Sequence, residues 1–205
     1  MASGFEHDPH SERGYNCPHN FFGYTSYPEL YPIETALGLK RVGELEDQGI
    51  TGKFDTAHLQ AIHQYLFQDI FPWAGAFRVV NIAKPGSSTF ALARHIETAL
   101  EEAFGKLQRE HLLRGLDHSV FAERAAYYLG EINAIHPFRE GNGRTQREFI
   151  RQLALSTGHP LVWSGFTQKQ MITASILSHS RGDNTGLATI IKTAILQAVE
   201  PDSKD

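Results

Sequence analysis

Between Ile135 and Phe149 the chain reads IHPFREGNGRTQREF, and His136 to Arg147 gathers a histidine, a carboxylate, two glycines around an asparagine, and the arginines Arg144 and Arg147. His136 stands before Pro137, which pushes the backbone away from helix and predicts a histidine on a turn. Gly141-Asn142-Gly143 permits positive φ, so that successive N–H groups can converge into an anion-binding concavity. The segment Arg144 to Leu155 then predicts a helix with Phe149, Ile150 and Leu153 on one face. A glycine-rich loop feeding a helix N-terminus is a ready phosphate site. Arg144 and Arg147, three apart, project from one side of that helix. Two guanidinium forks beside a nest of amides suit a polyphosphate. Taken singly, each residue has an ordinary reading: a surface histidine, a solvated Glu140, turn glycines, a charged helix face. Their joint order is hard to explain as packing.

The elements that must position these residues read as mostly helical. Leu59, Ile62, His63, Leu66, Phe67 and Ile70 follow helical spacing from Asp55 until Pro72. Ile96, Leu100, Phe104 and Leu107 mark a helix within Leu92 to His111, and Phe121, Ala125, Tyr128, Leu129 and Ile132 mark one that runs directly into the motif. Thr167 to Gln170 resembles a capping box that opens a helix through Ile172, Ile176 and Leu177. Leu187 to Ala198 forms the last, after a break at Arg181-Gly182-Asp183. A short helix is expected over Glu34 to Leu45. Phe77 to Ile82 and Thr89 to Ala91, around the turn signal Pro85-Gly86-Ser87-Ser88, predict one β-hairpin. The expected organisation is an irregular arm over 1–34, with Phe21, Phe22, Tyr24, Tyr27 and Tyr31 packed on the body. A helical domain over 35–199 and a solvated tail over 200–205 follow.

With 205 residues, one domain is expected. A net charge of −4 gives no general electrostatic case for nucleic-acid binding, so any nucleotide site must be local. Cys17 is the single cysteine, which excludes an intramolecular disulfide and fits a reducing compartment. No apolar run approaches the roughly 18 residues of a membrane span. The N-terminus lacks the basic and apolar segments of a secretory signal. These features lead to the expectation of a cytoplasmic polypeptide without membrane contact, with export as part of a longer protein by a secretion system left open.

The run His136-Pro137-Phe138-Arg139-Glu140-Gly141-Asn142-Gly143-Arg144-Thr145-Gln146-Arg147 resembles the signature HPFx[DE]GNGRxxR of the Fic family, and every fixed position matches. The segment Asp69 to Gly75, with Arg78, Ile82 and Lys84, is similar to the region across the family's flap. The resemblance implies a compact, mainly α bundle with one β-hairpin flap beside the motif loop and helix. It also implies a protein adenylyltransferase, moving AMP from ATP to a hydroxyl of a target protein. His136 would be the base, Glu140 would hold Mg²⁺, and Asn142 with the amides of Gly141 and Gly143 would hold the α-phosphate. Arg144 and Arg147 would grip the outer phosphates, Phe138 would anchor the loop, and Lys84 would contact nucleotide or target. Ser178 to Leu187 is the candidate adenine pocket. The target would add a strand to the flap edge, with bacterial type II topoisomerase subunits as targets known in the toxin branch of the family.

Rival readings remain. Transfer of UMP, phosphocholine or a γ-phosphate uses the same fold, although the intact GNGRxxR favours AMP. A nucleotide-dependent binding module needs no base, which His136 and Glu140 argue against. A metallohydrolase lacks a second histidine at ligand spacing, and GxxxxGK[ST] is absent. Many family members carry an inhibitory [ST]xxxE[GN]. Here Thr98 to Glu102 is followed by Ala103, and Ser119 to Glu123 by Arg124, so both fail the last position. The resemblance therefore implies a separate small antitoxin that places a glutamate near Arg147.

Overall fold

The computed structural model describes residues 8–11, 17–83 and 89–199. Among these residues are seven α-helices: α1 (Tyr27–Gln48), α2 (Thr56–Phe67), α3 (Ile96–Arg109), α4 (His118–Ile135), α5 (Asn142–Ser156), α6 (Gln168–Arg181) and α7 (Thr185–Val199). Helix α4 is the axis, in contact with α3, α5, α6 and α7, while α2 packs between α1 and α5. Phe104, Phe121, Tyr128, Ile132, Phe149, Ile150 and Ile191 fill the space around α4. None of these helices is long and apolar enough to cross a membrane.

Helix starts follow the local chemistry. Asp55 caps α2 by accepting the His58 N–H at 2.9 Å, and Asp117 caps α4 by accepting from Ser119 and Val120. Thr167 and Gln170 form the expected capping box at α6. Helix α1 differs from expectation, since it begins at Tyr27 rather than near Glu34. Pro28 lies in the first turn, where the missing N–H breaks no bond. Pro32 removes one further bond, while burial of Leu30 and Glu34 holds the turn in place. The arm is correspondingly shorter. Tyr24 and Tyr27 pack on the body as expected, whereas Phe21, Phe22 and Tyr31 are exposed.

Among the described residues there is no strand, and the expected hairpin is not shown there. Its limbs are tied to the end of α4. The buried Arg78 side chain donates to the carbonyls of Val80, Ala91, Ile135 and His136. The N–H of Ala91 donates to Ala134 at 3.1 Å, and Asn81 Oδ1 accepts from Ala93 at 2.9 Å. One guanidinium thus links both limbs to the start of the motif, a task that needs the fixed fork of an arginine. The turn between the limbs, with Lys84, lies outside the described residues.

Candidate active site

His136 ends α4. Its N–H donates to Ile132 at 2.9 Å while its own backbone turns left-handed, with φ 51° and ψ 62°. A non-glycine residue in this region costs about 1 kcal/mol or more, so the surroundings must impose it. Arg78 grips the His136 carbonyl at 2.8 Å, and the ring stacks on Phe90 with centroids 3.9 Å apart. Nδ1 lies 3.3 Å from the Asn133 carbonyl, a contact that needs a proton on Nδ1. In the neutral ring that makes Nε2 the basic nitrogen.

The loop after His136 is closed from inside. Asn142 Oδ1 accepts the Phe138 N–H at 2.9 Å, and its Nδ2 donates to the Phe138 carbonyl at 2.7 Å. The side chain expected on the α-phosphate is therefore occupied in shaping the loop. Of the expected positive-φ positions only Gly141 is one, at 79°. A Cβ there would stand 2.4 Å from the Phe67 ring. Asn142 and Gly143 are already helical, so α5 starts two residues earlier than expected. The concavity is the first turn of this helix, where among the described residues no side chain caps the amides. Helix N-termini hold anions through such N–H groups and the helix dipole.

Glu140 is held on both sides of its peptide. Its Oε1 accepts the Gly141 N–H at 3.0 Å, and its carbonyl lies 3.0 Å from Nε2 of the buried His63. His63 Nδ1 accepts the Gly75 N–H at 2.8 Å, which fixes the proton on Nε2. The His63 ring stacks on Phe138 at 3.8 Å. Burial drives the His63 pKa down to about 3, because a charged ring there would be desolvated. Burial pushes the Glu140 carboxyl above the usual carboxylate range; the Gly141 N–H opposes this and the charge of Glu34 adds to it. A desolvated carboxylate beside a helix N-terminus that can hold phosphate fits a hard divalent cation. Glu140 is the residue that would hold such an ion; among the described residues no group of three or more acidic, histidine or cysteine side chains is placed to hold a metal.

The two motif arginines differ. Arg144 is ion-paired with Glu34 of α1 and lies over Phe67, 4.6 Å from the ring centroid. Arg147 has no carboxylate partner among the described residues. Burial, and then the charge of Arg144, lower its pKa. Its carbonyl accepts from Trp163 Nε1 at 3.1 Å, and its guanidinium lies 3.4 Å from where a Cβ on Gly143 would sit. Arg139, given no role from sequence, pairs with Asp8 at 2.7 Å and ties the arm to the loop. In the expected adenine segment, the Ser178 hydroxyl donates to Asn184 at 2.7 Å. Both side chains lie where a Cβ on Gly130 would sit, at 2.6 Å. Those two residues staple α6 and α7 to α4.

A family model described as Fic/DOC matches residues 53–154. The probable protein adenylyltransferase y4lH of Sinorhizobium fredii is 41% identical over 145 residues, covering 70% of this chain and 74% of that protein. This chain belongs to the Fic/DOC family. It is also 43% identical over 172 residues to the protein adenylyltransferase VbhT of Bartonella schoenbuchensis, covering 84% of this chain but 36% of VbhT. The chain thus spans about a third of that relative's length. Among solved structures, BepC of Bartonella tribocorum with bound AMPPNP superimposes with a TM-score of 0.85 at 27% identity, covering 90% of this chain and 95% of that one. A Fic domain from Bartonella quintana with bound ADP gives 0.85 at 26%, covering 90% and 93%.

Sequence reasoning missed Glu34, His63 and the full task of Arg78. His63 sat in the α2 periodicity as if apolar; a polar residue at a core-facing position was the available signal. Glu34 gave none, because its partner is remote in sequence.

Proposed function

We propose that this chain is a protein adenylyltransferase, transferring AMP from ATP to a Ser, Thr or Tyr hydroxyl of a target protein. The observation that carries the reading is His136. A left-handed helix end, a stacked ring and an oriented Nδ1 set the imidazole at the entry to a helix N-terminus that can hold phosphate. Relatives of this family are named protein adenylyltransferases. The target oxygen attacks the α-phosphorus, its proton passes to His136 Nε2, the bond to the β-phosphate oxygen breaks, and pyrophosphate leaves. The amides of Asn142, Gly143 and Arg144 offset charge on the α-phosphate, and Arg144 and Arg147 orient the departing phosphates. Bound Mg²⁺ on Glu140 would neutralise phosphate charge.

The target docks along the limbs 77–83 and 89–92, where an extended segment can use main-chain bonds. A separate small antitoxin supplies a glutamate to Arg147. Support comes from the guanidinium itself, a largely buried cation beside another cation with no carboxylate of its own among the described residues, and such a charge favours an anionic partner. The free chain is then active in the cytoplasm and toxic there, and co-expression with the partner restores growth.

The test compares α- and γ-labelled ATP with Mg²⁺ and a bacterial lysate. Label from the α position should enter protein, and His136→Ala should reduce this by about 10²–10⁴-fold. Label entering only from the γ position would make the chain a phosphotransferase. Mass spectrometry of the labelled band identifies the target, with type II topoisomerase subunits as first candidates.

A further inference from the structure

Glu34 stands in the middle of α1, 1% exposed, with both carboxylate oxygens engaged. Oε2 accepts the Tyr27 hydroxyl at 2.8 Å, and Oε1 accepts from Arg144 Nη2. The other terminal nitrogen of Arg144, Nη1, lies 2.6 Å from where a Cβ on Gly38 would be. One face of the guanidinium lies over Phe67. Three surfaces on two helices thus confine a side chain that remains 25% exposed.

We infer that Glu34 is a positioning residue, which with Tyr27 and the bare backbone of Gly38 holds Arg144 so that its exposed part meets the β-phosphate of a bound nucleotide. The inference rests on the nucleotide reading of the site. Burial and double engagement keep the carboxylate from swinging into the phosphate space, so it does not compete with the ligand. Its charge also offsets that of Arg144, which leaves Arg147 as the uncompensated cation of the pair. A guanidinium held in advance loses little freedom when phosphate arrives.

The test is calorimetric binding of ADP and AMP to the purified chain with Mg²⁺, independent of transfer. Glu34→Gln should weaken ADP by about ten- to a hundredfold, the scale of one charged hydrogen bond, and leave AMP within about twofold. Gly38→Ala pushes on Arg144 without touching Glu34, while alanine favours the helix over glycine. It should weaken ADP about three- to tenfold with AMP unchanged, since misplacing a charged bond forfeits part of its strength. Unchanged ADP affinity in folded Glu34→Gln, or in Gly38→Ala if the first variant does not fold, overturns the inference. Equal weakening of ADP and AMP overturns it as a general structural effect, and tighter ADP overturns it by making Glu34 a competitor. If the unaltered chain binds neither nucleotide, the reading of the site fails and this inference with it.

Discussion

His63 makes stability depend on pH in a way that can be calculated and isolated. The ring is fully buried and takes part in two hydrogen bonds, to Gly75 and to the Glu140 carbonyl. Its pKa falls from 6.5 to about 3 on folding. Below pH 6.5 the unfolded chain therefore takes up a proton that the folded chain refuses. The stability His63 contributes is present in full above that value and declines as pH falls towards about 3. At pH 5 the gap of 1.5 pH units, at about 1.36 kcal/mol each, amounts to about 2 kcal/mol. His63→Phe keeps a ring against Phe138 and removes this titration. At pH 7 the variant leaves the Gly75 N–H and the Glu140 carbonyl without their partner, costing about 1–3 kcal/mol each. Urea unfolding at pH 5, 6 and 7 checks the argument. Between pH 7 and pH 5 the unaltered chain should lose about 2 kcal/mol more than the variant, since all other groups cancel in the comparison. Equal losses would refute the claim that a neutral His63 holds the loop.

Gly141→Ala should destabilise by about 2–4 kcal/mol, from the left-handed backbone plus overpacking against Phe67, and abolish AMP transfer; urea midpoints and label transfer measure both. Glu140→Gln should eliminate transfer or shift the Mg²⁺ titration upward by about tenfold or more, because a neutral amide is a poorer ligand for a hard cation. An unchanged titration would remove Glu140 from metal binding. Asp55→Ala should cost about 1 kcal/mol of stability through loss of the α2 cap, with transfer nearly unchanged at a temperature where the fold persists.

The sequence made the helical frame readable wherever apolar residues repeat at helical spacing and a cap is present, as at α2, α4 and α6. It misread α1, because two prolines resemble a break when the burial of Leu30 and Glu34 is not visible. The hairpin was inferred from β-branched residues at Phe77 to Ile82, where the fold shows the Arg78 side chain binding a carbonyl of each limb. The reacting groups were legible because they lie consecutively, whereas their supports were not. Asn142 matched a phosphate ligand by type, and only the fold reveals that Phe138 occupies it. Glu34 and His63 carry no local mark, since what they touch is set by packing between helices.

The supports of the site have a consequence for when reactivity can arise. Arg144 and Glu34 lie 110 residues apart in the chain, His63 and the Glu140 carbonyl 77, and Arg78 and the His136 carbonyl 58. During synthesis α1 and α2 are complete long before the loop they shape has been made. A peptide cut from residues 135–156 would carry every motif residue and none of these three partners. Its histidine would relax out of the left-handed turn, its first arginine would wander, and its Glu140 carboxyl would be solvated. No nascent chain that ends before Arg147 holds the assembled constellation, so the site forms only when helices made early meet the loop made late.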